Sequence, residues 1–321
     1  MPRDPRLAAR VVRRTPLYYQ GGRDEAHDRP AHVRSASSLT VWRGAITVVS
    51  DDASFVARVD PASGSCAVIM LPASADGRRQ FDAARGNKAD KLDLESAFAL
   101  DGALIALGSD SGLAIRRQAA VIAVDGEIAR LVALPRLYAA LHQPALGSGR
   151  LNLEAAATTT TDLVLGNRGG DRGPDGVPTV DAVTTIPLAA FRALLADPAG
   201  AAIPSLAWRR LELGHLDGTP LRLTELEPWD EALLYAAAAE ATHSAYDDGA
   251  VVGSAIGLLD AAGGPPRWAP LLDERGAGLL DKIEGLVRFG GRVYAATDAD
   301  DPDRASDLLD LALEGPWAID L

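Results

Sequence analysis

Asp93-Leu94-Glu95-Ser96-Ala97, Asn152-Leu153-Glu154-Ala155-Ala156, Thr224-Glu225-Leu226 and Lys282-Ile283-Glu284-Gly285-Leu286 are occurrences of one pattern, an acidic residue opening an apolar or alternating run. Successive glutamates stand 59, 71 and 59 residues apart, and a step of 59 back from Glu95 reaches Ala36 in Ser35-Ala36-Ser37-Ser38-Leu39. A repeated interval of this size marks copies of one supersecondary unit. Five units result.

Each unit holds hydrophobic runs of strand length separated by turn residues. The second is clearest: Phe98–Leu100, turn Asp101-Gly102, Ala103–Leu107, a polar loop, Ala119–Val124, turn Asp125-Gly126, then Ile128–Leu134. Four short antiparallel strands in roughly 40–60 residues is the signature of a propeller blade. The expected fold is therefore all-β, a single five-bladed β-propeller over residues 1–321, with six blades as the alternative. The last unit keeps only 37 residues after Glu284, too few for four strands and their loops. Val11–Tyr19 is expected to supply its outer strand and close the ring without an exposed edge. A β-sandwich followed by a second all-β domain also shows short strands and glycine turns, but it does not predict the interval. Leu188–Ala196 reads as a helix, ahead of a strand at Leu206–Leu213.

Composition narrows the function classes. With 321 residues, 47% of them hydrophobic, the chain can bury a sizeable core, and a net charge of −12 argues against duplex DNA or an anionic membrane as partner. The lone cysteine, Cys66, rules out an intramolecular disulfide and a cysteine-rich zinc site. Residues 1–14 lack the apolar segment of a secretory signal, and there is no apolar run of about 18 residues. A cytoplasmic protein is expected, and its oligomeric state is not legible.

In a blade, the start of the innermost strand, the end of the second and the start of the third share one face. Glu95, Glu154, Glu225 and Glu284 are thus expected around one channel mouth. Polar second-strand ends and long loops join them there, while the opposite turns are short, as for a site on a rigid scaffold. Four converging carboxylates need compensation. Calcium, taking six to eight oxygens, is one candidate, with the four glutamates as ligands. The other is a network of basic residues. Lys91 and Lys282, two of only three lysines, flank the motif, and Asn152 and Asn167 are two of three asparagines. Arg34, Lys91, Arg117, Asn167, Arg168, Lys282, Asp298 and Arg304 are the expected substrate contacts, with Glu95, Glu284 and His243 as candidate acid–base groups. The acidic run from Asp298 to Arg304 departs from a calcium loop at Pro302 and lacks its glycine. Gly108-Ser-Asp-Ser-Gly112 has Asp110 where a nucleophilic serine would stand, and Gly166–Gly173 lacks the lysine of a phosphate loop.

Glu284-Gly285-Leu286, with Asp-Leu-Glu and Asn-Leu-Glu in earlier units, resembles the D-x-E-G-[IL] repeats of the phytase-like esterase and SdiA-regulated propeller groups. The stretches Lys91–Glu95, Leu151–Glu154, Tyr246–Ser254 and Thr297–Ser306 are similar to an uncharacterised bacterial propeller family spanning most of the chain. The resemblance implies calcium-bound propellers acting on phosphate or carboxylic esters. Blade one and blade four depart from the motif, which puts the number of metal ligands in doubt. The expected function is hydrolysis of a small anionic ester, lactone or phosphoester at the channel mouth. A non-catalytic propeller binding a small ligand or protein through the same face is the alternative, since no nucleophile motif is present. A glycosidase would also use channel carboxylates but would show aromatic sugar platforms, and Trp42 and Trp229 fall near the opposite turns.

Overall fold

A computed structural model describes residues 3–125, 129–241, 249–260 and 263–318. It is mostly β. Strands β1 (Ala8–Pro16) and β2 (Tyr18–Tyr19) precede a meander of β3 (Ala36–Trp42), β4 (Ala45–Ser50), β5 (Phe55–Val59) and β6 (Ser65–Met70). The next comprises β7 (Leu94–Leu100), β8 (Ala103–Gly108), β9 (Gln118–Ile122) and β10 (Ala129–Ala133), followed by helix α1 (Pro135–Leu141). Then come β11 (Leu153–Thr158), β12 (Asp162–Asn167), β13 (Ala182–Pro187), helix α2 (Leu188–Ala196) and β14 (Arg209–Arg210). Strands β15 (His215–Leu216), β16 (Thr219–Trp229), β17 (Ala232–Ala241), β18 (Ala250–Asp260) and β19 (Arg267–Leu272) lead to β20 (Lys282–Phe289), β21 (Arg292–Asp298) and β22 (Asp307–Glu314).

The turns explain the tight hairpins. Arg43-Gly44, Asp101-Gly102 and Gly290-Gly291 all have positive φ at both positions, the conformation that matches a two-residue connection to the strand twist. The sheets hold four, four, five and nine strands, the last in the order β15-β16-β17-β18-β19-β1-β22-β21-β20. That sheet is two antiparallel runs joined where β1 pairs parallel to β19 and antiparallel to β22. The N-terminal segment thus forms the outer strand of the last run, as its sequence implied. It breaks at Pro16, which has no N–H to donate, and β2 crosses to pair parallel with β6.

Strands β3, β7, β11, β16 and β20 contact one another in turn, with β20 returning to β3. Each apolar cluster is shared by two meanders consecutive in this cycle. Helix α2 has the bounds read from the sequence, whereas α1 was unforeseen. Pro135 sits in its first turn, where a missing N–H costs nothing, and Leu137, Tyr138 and Leu141 are buried. The strand expected over Leu206–Leu213 shrinks to β14, because Trp208 turns inward and donates from Nε1 to the Leu141 carbonyl at 2.9 Å. No helix among the described residues is long and apolar enough to cross a membrane.

Candidate acid–base site

One feature recurs in all of the cyclically contacting strands. Where β3, β7, β11, β16 and β20 pair with the strand that follows, the register slips by one residue, leaving Ser37, Glu95, Glu154, Thr224 and Glu284 unpaired. A bulge of this kind re-aims a side chain. Glu95, Glu154 and Glu284 line one cavity of about 390 Å³, to which no residue of β15–β19 contributes.

Glu225 does not join them. It lies one residue past the bulge, and a one-residue slip sends a strand side chain to the other face. Its carboxyl is fully buried, accepting from Ser38 Oγ at 2.5 Å, Leu39 N at 3.3 Å and Leu226 N at 3.0 Å. Thr224 stands where the glutamate was expected, and Ser37 rather than Ala36 is its counterpart in β3.

Cations from loops and from the start of β20 meet acidic residues in three groups. Lys91 bridges Asp51 and Asp93, reaching Asp93 Oδ1 at 2.5 Å, while Arg116 Nη1 lies 2.9 Å from Asp93 Oδ2. Arg34 Nη2 contacts Asp52 at 2.7 Å and Asp82 at 3.1 Å. Arg168 Nη2 donates to Glu240 at 2.8 Å, with Nη1 at 3.5 Å from Glu154 and 3.6 Å from Glu284. Lys282 Nζ lies 2.7 Å from Glu284 and 3.5 Å from Glu240. Glu95 makes no ion pair with a described residue.

These surroundings drive the carboxyls apart. Burial, with Asp51, Glu154, Asp93 and Glu284 nearby, pushes Glu95 well above the usual carboxylate range. Burial also raises Glu284, but Lys282 and Arg168 oppose it, leaving it at about 7. Asp298 is raised well above its ordinary value by burial and by Glu284 and Asp300. Asp52 is brought to about 7 by burial and Asp51 against the pull of Arg34. For Asp93 burial is overcome by Lys91 and Arg116, which hold the carboxyl low. Glu240 goes the same way, to about 2, because Arg168 and Lys282 outweigh its burial.

Of the expected contacts, Arg34, Lys91, Arg168, Lys282 and Asp298 line the cavity. Asn167 lies beneath it, accepting from Asn152 N at 2.9 Å and donating to the Val180 carbonyl at 2.8 Å, so it braces β11 and β13. Arg117 instead pairs with Asp110 at 2.8 Å, beside His142 at 2.7 Å. Arg304 is half-exposed on Asp281 at 3.0 Å. Neither lines the cavity, and His243 lies outside the described residues. Asp51, Asp93, Arg116 and Glu240 complete the site: Asp51 and Glu240 are among the polar second-strand ends, and Arg116 among the long-loop residues, that the sequence puts on this face, though none was among the expected contacts. Asp93 was within reach of the sequence. It stands two before Glu95 as Lys282 stands two before Glu284, and strand alternation gives i and i+2 a common side.

The four-glutamate calcium site does not fit this arrangement. Glu225 is elsewhere, and Glu154 and Glu284 already face Arg168 and Lys282. Asp51, Asp93 and Glu95 do bring one oxygen each within 4.8 Å of the others, but the Lys91 ammonium is bonded to two of the three.

A model of a family of unknown function (DUF6929) matches residues 32–313. No curated protein matches the chain. Among solved structures, the chain is similar to a glutaminyl cyclase of Myxococcus xanthus, at 13% identity over 97% of each chain with a TM-score of 0.48. It is also similar to a glycosyl hydrolase from Bacteroides ovatus, at 11% identity over 90% of this chain and 86% of that one, TM-score 0.45. An α-L-arabinofuranosidase from Podospora anserina shares 11% identity over 94% of this chain and 97% of its own, TM-score 0.44. At such identities and TM-scores none of these likenesses bears on activity.

Proposed function

Because the chain belongs to the DUF6929 family of unknown function, its chemistry has to be read from the site itself, and we propose a hydrolase acting on a small ester or lactone. The scaffold in this reading is one domain, a five-bladed propeller whose blades each contribute one bulged inner strand. Blades one and four carry Ser37 and Thr224 at the bulge in place of a glutamate.

The observation that carries the proposal is the contrast between Glu95 and Glu284, equivalent bulge residues of one cavity. Glu95 makes no ion pair with a described residue, and burial among neighbouring carboxylates raises its proton affinity well above the usual range. Glu284, against Lys282 and Arg168, ionises at about 7. Carboxyls whose surroundings separate their proton affinities are the usual basis of acid and base roles. Glu284 takes a proton from water as its oxygen attacks the acyl carbon. Glu95 gives a proton to the leaving oxygen as the acyl C–O bond breaks. Lys91, Arg116, Arg168 and Lys282 surround the acyl oxygen with positive charge. Eleven carboxyls and seven cationic groups line the cavity, but burial shifts Glu95, Asp298, Glu284 and Asp52 towards the neutral form, so the lining is nearer to charge balance and both neutral and anionic substrates belong in the test.

The test is an ester, lactone and phosphoester panel run with the wild type, Glu95→Gln and Glu284→Gln. Each substitution should lower kcat by about 10²-fold or more with little change in melting temperature. In the wild type kcat/KM should rise to a plateau above about pH 7 as Glu284 loses its proton, and Glu284→Gln should remove that limb. A second reading, a binding module for a small polar ligand, is favoured by one fact: the buried cations are already committed to carboxylates. Ligand-induced thermal stabilisation without turnover on any substrate would support it and end the hydrolase proposal.

A further inference from the structure

We infer that Lys91 is the resident cation of the acidic nest formed by Asp51, Asp93 and Glu95 in this cavity, its ammonium standing where a divalent ion would sit, so that the protein needs no metal there. The inference concerns the electrostatics of the acidic nest and holds whether or not the site hydrolyses anything.

Three observations carry it. First, Lys91 precedes β7 in a loop that places its largely buried side chain against carboxylates from two meanders, Asp51 after β4 and Asp93 before β7. Second, both oxygens of Asp93 already have donors of the protein. Its Oδ1 takes Lys91, while Oδ2 accepts from Ser109, from Ser111 at 2.8 Å and from Arg116 at 2.9 Å. A hard cation binds through such oxygens, and here donors of the protein hold them. Third, the remaining oxygens are poorly provided for. Asp51 Oδ1 is buried with no hydrogen-bond partner, and Glu95 has no ion pair among the described residues. With the ammonium gone, Arg116 alone would remain beside three acidic groups whose oxygens lie within 4.8 Å of one another, an imbalance that a largely buried site resists. They would have to take up protons or a cation.

The experiment compares the wild type with Lys91→Met, Lys91→Gln and Lys91→Arg after dialysis against chelator. Calcium is added while the melting temperature is followed, and Mn²⁺ is titrated with its EPR signal as readout. The wild type and Lys91→Arg should hold no stoichiometric metal and show no calcium-dependent shift. Lys91→Met and Lys91→Gln should bind one Mn²⁺, and their melting temperature should rise by about 5 °C at calcium roughly a hundredfold above Kd. Adding Asp93→Asn and Glu95→Gln to Lys91→Met should abolish both effects, which a purely structural role for the lysine would not produce. Stoichiometric calcium in the wild type overturns the inference. So do neutral variants that fold but ignore both ions, and so does a failure of both to fold even with calcium present.

Discussion

Glu225 shows how much one backbone step changes the physics of a side chain. Its carboxyl accepts a hydroxyl and two main-chain N–H groups, yet no described cation touches it. Burial pushes its proton affinity well above the ordinary value, more strongly than those hydrogen bonds oppose it. A raised value in the folded state means that the stability it confers is fully present below the unfolded value, near 4.3, and is lost as pH rises through the folded one. Glu225→Gln removes this titration while its amide oxygen still accepts from Ser38 and Leu39. We expect the wild type to lose stability relative to this variant as pH rises from 5 towards 8, by up to about 1.4 kcal/mol per pH unit while the window lasts. Parallel melting curves at four or five pH values measure the gap. A gap that widened towards acid pH would mean an ionised Glu225 in the folded protein and would sink the argument.

At the scale of elements, the bulge is the device that builds the site, and it also marks the limit of what the sequence reveals. The spacing of the glutamates located the inner strands, and the turn pairs located their hairpins. Both follow from local chemistry, glycine at positive φ and alternation along a strand. The bulge has no such mark, so Glu225 looked equivalent to Glu95 when Thr224 is. The sequence puts Asp51 and Arg116 on the site's face, but not their meeting around Lys91 and Asp93, which depends on how loops and neighbouring meanders lie side by side. Gly285, just past the bulge of β20, is where an element-level prediction belongs. A Cβ there would come within 2.6 Å of Leu39 Cγ and 3.1 Å of Leu39 N, so close approach of β20 to β3 requires its absence. Gly285→Ala should destabilise by roughly 1–3 kcal/mol and disturb Glu284 next to it. Denaturant unfolding checks the first, the pH limb assigned to Glu284 the second. Unchanged stability would show that these strands have room to part.

For the whole molecule the decisive element is β1, whose place beside the last run was expected of Val11–Tyr19 but is taken by Ala8–Pro16, while Tyr18–Tyr19 pair with β6. It pairs with β19 on one side and β22 on the other, and Leu7, Ala9 and Val11 are buried in the cluster shared with Leu258, Leu271 and Leu311. Arg14 adds contacts to Asp281 at 2.6 Å and Asp307 at 2.8 Å, tying the strand to the approach to β20, which carries Lys282 and Glu284. Removing residues 1–16 would forfeit about 1.5–3 kcal/mol for each of Leu7 and Val11, a large part of the 5–15 kcal/mol by which a typical domain is stable. It would also leave two strand edges unpaired where one strand had covered both, and open edges recruit other chains. The truncated protein should therefore melt much lower and elute in light scattering as oligomers. Val11→Asp, which keeps the main-chain pairing but places a charge in the cluster, should lower the melting temperature while leaving the oligomeric state of the intact chain unchanged. A peptide of residues 3–17 added in trans should return the truncated chain to the oligomeric state of the intact one, because the edges it would occupy are already aligned by β19 and β22. A truncated chain with the oligomeric state and melting temperature of the intact one would mean that the cycle of inner strands holds without this clasp.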